Sequence, residues 1–98
     1  MLQVIVMYPK FEGKTFDVNY YKNQYIKLVK EKLAPIKIDD EYEIDNQNGQ
    51  SSYFAVTRVL FESWEQFENQ YIKNSKELSS DRLKFTNSSV IIQTSELK

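Results

Sequence analysis

Two stretches of this sequence are apolar on both parities, one alternates apolar with acidic residues, and two carry apolar side chains at helical spacing. The densest is 53–61, YFAVTRVLF, which mixes β-branched and aromatic residues with no turn former, as a strand covered on both faces does. One face would carry Tyr53, Ala55, Thr57, Val59 and Phe61, the other Phe54, Val56, Arg58 and Leu60. Residues 2–8, LQVIVMY, predict a second such strand, ended by Pro9 and a loop around Gly13.

A helix is predicted from an N-cap at Asp17 to about Leu33, with Val18, Tyr21, Tyr25, Leu28, Val29 and Lys32 or Leu33 facing inward. Pro35 stops it, and Lys30 and Lys32 suit its negative end. Residues 36–45, IKIDDEYEID, set Ile38, Tyr42 and Ile44 against Asp39, Glu41, Glu43 and Asp45. This is the pattern of an edge strand whose charges discourage pairing with other chains. Asn48-Gly49 marks a turn back into the central strand. Ser63 caps a second helix, Gln66 completes a capping-box pattern, and Trp64, Phe67, Tyr71 and Ile72 form its apolar stripe. That helix is expected to fray near Asn74-Ser75, leaving 76–85 as a short helical turn or loop, before a last strand at 89–95. The order β-α-β-β-α-β is that of the ferredoxin-like α+β fold, a four-stranded antiparallel sheet with both helices on one face.

Composition narrows the chemistry. The 98 residues suffice for one domain, 1–98, and 13 basic against 14 acidic residues leave a net charge of -1 with no basic stripe to track phosphates. Neither nucleic acid nor a membrane is expected as a partner, and the apolar runs are far short of a bilayer span. A soluble, cytoplasmic protein is the expectation. No cysteine means no thiolate chemistry, and no histidine removes the commonest general base and metal ligand. Four carboxylates in 39–45 without histidine make a poor transition-metal site, so no metal and no cofactor are expected. A sheet apolar on both sides, with helices for one side only, calls for a second cover, and the expected one is another copy of the chain.

The motifs VIVMYP (4–9), FDVNYYKNQYIKLV (16–29), FESWEQF (61–67) and SSDRLKFTNSSVIIQ (79–93), taken in order, resemble the EthD family of small dimeric α+β barrel proteins. The resemblance implies a homodimer formed through the sheet faces, with a pocket between each sheet and its helices. The wider superfamily includes cofactor-independent monooxygenases, haem-degrading enzymes and small isomerases or dehydratases, while the family's namesake accompanies a fuel-ether degradation system. In the family pattern two tyrosines are followed by an asparagine, one residue, and a pocket histidine. Here Tyr20, Tyr21 and Asn23 match, but Tyr25 stands where the histidine would, and Lys27 replaces a common proline. A phenol with an ordinary pKa near 10 is a reluctant base at neutral pH.

Four residues are candidates for binding a small, flat, partly apolar molecule. Tyr21 and Tyr25, four apart on the inner helix face, are either core aromatics or two hydroxyls offered to one cavity. Arg58, in a central strand, needs either a structural partner, within the chain or across a dimer, or a ligand anion. Trp64 is either packing or a stacking wall. The functional expectation is a pocket of this kind, used by a cofactor-free oxygenase or by a non-catalytic binding or accessory module.

Overall fold

The computed structural model describes residues 1–42 and 52–97; the predicted Asn48-Gly49 turn and the side chains of Glu43, Ile44 and Asp45 lie outside them. Strands β1 (Leu2–Pro9), β2 (Lys37–Tyr42), β3 (Tyr53–Phe61) and β4 (Ile91–Glu96) form one antiparallel sheet in the order β2-β3-β1-β4, with β1 and β3 at its centre. The two strands that read as apolar on both sides are the two interior ones. β2 lies at an edge, as its acidic residues predict. No helix among the described residues is long and apolar enough to cross a membrane.

The pleat divides the sheet's side chains. Leu2, Val4 and Tyr8 on β1 and Ala55, Thr57, Val59 and Phe61 on β3 are buried under the helices. Ile5 and Met7 on β1 and Val56, Arg58 and Leu60 on β3, each half-buried, belong to the opposite face, which no helix or strand among the described residues covers. Phe54 departs from the predicted parity. A register shift next to Tyr8 and Pro9 leaves it unpaired, so it turns inward and stacks on Phe16 with ring centroids 5.5 Å apart.

The first helix runs through 18–33, opened by the Asp17 side chain accepting from the Tyr20 N–H at 3.1 Å. It is not uniform. Between α-helical segments Val18–Tyr20 and Ile26–Leu33 lies a π-helical turn, Tyr21–Tyr25, closed by the Ile26 N–H donating to the Tyr21 carbonyl. The extra residue in that turn shifts the inward stripe, so Ile26, absent from the predicted face, is buried along with Tyr21, Val29 and Leu33. Ala34 ends the helix in the left-handed conformation at φ 47°, with Pro35 behind it.

The second helix differs more from expectation. It is continuous over Trp64–Arg82, and Asn74, read as a point of fraying, lies inside it. Its side-chain amide donates to the Lys32 carbonyl at the end of the first helix (3.0 Å) and to the Gln70 carbonyl one turn back (2.8 Å), tying the helices together. Ser63 caps as predicted, accepting from the Gln66 N–H at 3.1 Å. The other half of the capping box is not made: Gln66 Nε2 donates instead to the carbonyls of Leu33 and Ala34. Two polar side chains thus bridge the helices where an apolar stripe was expected. Of that stripe Phe67 packs on the core, whereas Trp64 and Ile72 are exposed.

Replacing Asn74 with alanine removes the hydrogen bond to Lys32 and leaves that half-buried carbonyl without its partner. Asn74→Ala should lower stability by about 1 to 2 kcal/mol, read as a reduced urea midpoint with an unchanged slope.

Candidate functional site

The core beneath the sheet has two halves of different character. One is largely aliphatic, with Leu2, Val4, Val29, Leu33, Val59 and Leu78 around Phe61. The other is aromatic, with Tyr8, Tyr21, Phe54 and Phe85 joined by Ile26 and Ala55. Val6 and Tyr25 pack against both halves. At this seam lies a cavity of about 110 Å³. Its floor is Val4, Val6, Tyr8, Thr57, Val59 and Phe61 from the central strands, and its roof includes Tyr21, Tyr25, Ile26 and Val29 of the first helix. Phe67, Tyr71, Leu78, Ser79 and Arg82 of the second helix and Val90 and Ile92 at the β4 end complete the wall. Tyr71 and Ile92, 38% and 51% exposed, place the mouth between the second helix and β4.

The rings at the aromatic end hold one another in place. Tyr21 meets Tyr8 edge to face at 5.4 Å and stacks on Tyr25 at 5.6 Å, while Phe85 packs against Tyr25 at 4.7 Å. Asp17 N–H donates to the Phe85 carbonyl (2.7 Å), and Ser88 Oγ donates to the Pro9 carbonyl (2.8 Å), which pins the segment before β4 across the start of the first helix.

Polar atoms are few. The Tyr21 hydroxyl and Thr57 Oγ1 share a hydrogen bond of 2.5 Å. Burial pushes the Tyr25 hydroxyl up to about 12, against a smaller downward pull from the Arg82 charge. It pushes Tyr21 and Tyr8 further up, with the Thr57 hydrogen bond partly offsetting the effect at Tyr21 and the neighbouring phenols adding to it at Tyr8. All three are therefore neutral phenols at pH 7, able to donate hydrogen bonds but unsuited to taking protons. Among the described residues, no group of three or more acidic side chains is placed to hold a metal ion.

Of the four candidate residues, Tyr21 and Tyr25 come together on the cavity wall. Arg58 and Trp64 lie elsewhere. Arg58 belongs to the parity opposite Thr57 and Val59, and on the uncovered face its Nη1 donates to Glu41 Oε1 at 2.9 Å. This is the intrachain form of the structural pairing open to it. Trp64 sits at the first turn of the second helix, 52% exposed, its ring 5.8 Å from Phe67 and its Nε1 donating to Glu68. Tyr8, Tyr71 and Arg82 line the cavity without having been singled out in the sequence. Tyr8 reads there only as a strand residue before a proline. Arg82 is hidden because its segment reads as a turn, whereas one continuous helix carries it to the wall.

This architecture has close counterparts among solved structures. An EthD-like protein from Ralstonia eutropha JMP134 superposes with a TM-score of 0.88 at 26% identity, over 97% of this chain and 89% of that one. Its structural relatives are EthD-like proteins. An ethyl tert-butyl ether D (EthD) family protein from Bacillus halodurans C-125 matches at a TM-score of 0.76 and 16% identity, covering 100% of this chain and 99% of the other. A dimeric protein of unknown function and ferredoxin-like fold from Bacteroides fragilis matches at 0.62 and 10% identity, over 98% and 95%. These last two speak for the fold alone. No protein-family model matches this chain, and no curated protein matches it.

The raised phenols give the chain an alkaline signature. A group whose folded pKa lies above its unfolded value contributes stability that is intact below the unfolded value and is lost as pH climbs through the folded one. For Tyr25 the window runs from 10.0 to about 12. Urea midpoints should be flat up to about pH 9.5 and then fall steeply, and Tyr25→Phe should make the fall shallower over the same window.

Proposed function

We propose that this chain works as an EthD-like homodimer, each protomer one α+β barrel domain spanning 1–98, and that each holds a small, flat, partly apolar aromatic molecule in the cavity between sheet and helices. The observation that carries the reading is the cavity itself: an unfilled space with apolar walls, one open side and phenol hydroxyls at one end. That division of apolar wall and few grouped polar atoms is what a small-molecule site presents. Tyr21 and Tyr25 are the binding residues carried forward.

Binding without catalysis is the favoured form. A cofactor-free oxygenase needs a group that takes a proton from an easily oxidised substrate, and Tyr25, with its hydroxyl up at about 12, donates instead. This favours a ligand-binding or accessory module over the monooxygenase-like alternative. A chain without cysteine owes nothing to an oxidising compartment, which suits a cytoplasmic location.

The homodimer reading rests on the bare sheet face. Ile5, Met7, Val56, Leu60 and Ile91 share it with the Arg58–Glu41 pair, and a second sheet laid against them would bury apolar side chains that the chain's own helices cannot reach. The dimeric ferredoxin-like relative supports the same arrangement. Sedimentation should give twice the chain mass, and Val56→Asp, which places a charge at the centre of that face, should give a monomer. A wild-type monomer at high concentration would overturn the assembly.

For the pocket, titration with p-cresol followed by amide chemical shifts should move Val6, Tyr25 and Thr57 together. Tyr25→Phe should weaken binding roughly 2- to 10-fold through the lost hydrogen bond. No binding, or shifts confined to the outer surface, would refute the cavity as a ligand site.

A further inference from the structure

Arg82 stands apart from the other cations near the core. It occupies the last turn of the second helix and is half-buried, and among the described residues it makes no ion pair and no side-chain hydrogen bond. The nearest carboxylate in sequence is engaged elsewhere: Asp81 accepts from the Tyr20 hydroxyl at 2.8 Å and pairs with Lys84 at 3.3 Å. A cation at a helix C-terminus is favoured by the helix dipole, which accounts for a charge at this position. It does not account for the side chain lying along a cavity wall that contains no Asp or Glu.

Four hydroxyl-bearing residues of the wall gather near it. Tyr8, Tyr21, Tyr25 and Thr57 belong to the aromatic end of the cavity, and the Arg82 charge acts on the Tyr8 and Tyr25 phenols, so guanidinium and hydroxyls share one neighbourhood. The opposite end, around Val4, Val59 and Phe61, is mostly carbon, with the Tyr71 ring reaching it through Phe67. A guanidinium donates hydrogen bonds and a neutral phenol can, and no carboxylate lines the cavity beside them; Asp81 and Asp40 act on Tyr25 and Tyr21 from behind the wall, Asp81 already engaged by Tyr20 and Lys84. Such a grouping complements an oxyanion, and the planar fork of arginine suits a carboxylate.

Building on the cavity reading above, we propose that the cavity selects compact cyclic carboxylic acids as their anions, with the carboxylate on Arg82 and the Tyr25 hydroxyl and the ring among Val4, Val59 and Phe61. Volume limits the ligand to one ring. A cavity of roughly 150 Å³ accepts benzene, and 110 Å³ with an open mouth holds a single ring while its charged group stays near the rim. Long acyl chains and fused polycyclic acids do not fit.

Benzoate and its neutral isostere benzamide provide the test, each titrated by calorimetry into the full-length protein at neutral pH. Benzoate should bind at least about 10-fold more tightly, as expected for charge-assisted hydrogen bonds. Arg82→Gln should erase that preference by weakening benzoate far more than benzamide, and Arg82→Lys, which keeps the charge, should retain part of it. Circular dichroism and thermal melting of both variants confirm that they fold. Equal binding of the two probes, or a benzoate preference that survives Arg82→Gln, overturns the anion subsite and leaves the cavity reading standing. If neither probe nor p-cresol binds, the cavity reading fails and the subsite with it.

Discussion

Two helices laid across a sheet can approach it only as closely as the largest side chains between them allow. Tyr8, Tyr21, Phe16 and Phe85 pile up at one end of this interface and smaller aliphatic groups at the other. The aromatic pile sets the separation, and the aliphatic end does not fill the space this leaves. The cavity sits at the seam. Its position follows from the distribution of side-chain volume along β1, where Val4 and Val6 give way to Tyr8, as much as from any residue chosen for chemistry.

The same sheet presents two unlike surfaces because the pleat sends neighbours to opposite sides. Thr57 and Val59 border the cavity while Arg58, between them, is held by Glu41 on the bare face. Chemistry inside the cavity is therefore set by what the helices contribute. From the first helix Tyr25 supplies a buried phenol, neutral at pH 7 and suited to donating a hydrogen bond rather than to taking a proton.

How much of this could be read in the sequence depends on whether the deciding interaction is local. The interior position of β1 and β3, the edge position of β2 and the caps at Asp17 and Ser63 follow from neighbouring residues, and the structure has them where the pattern puts them. The misses involve partners far along the chain. Asn74 reads as a breaker until the Lys32 carbonyl, 42 residues away, appears beside it. Gln66 reads as half of a capping box until the end of the first helix comes within its reach. Once the second helix is continuous, Arg82 moves from a presumed loop to the cavity wall. Of the candidate site, Tyr21 and Tyr25 were legible from four-residue spacing, but the face of Arg58 was not, because either parity of that strand is apolar.

The π-helical turn through Tyr21–Tyr25 ties the cavity's roof to everything that follows it. Each helical residue advances the chain by about 100°. Deleting one residue from this turn would place Ile26, Val29 and Leu33 four, seven and eleven residues after Tyr21 and so keep them on the sheet, whereas ordinary winding of the full-length segment would swing them off it by that angle and bring lysines over it. The irregular turn therefore keeps two stripes in phase, one of phenols that shape the cavity and one of aliphatic groups that anchor the helix.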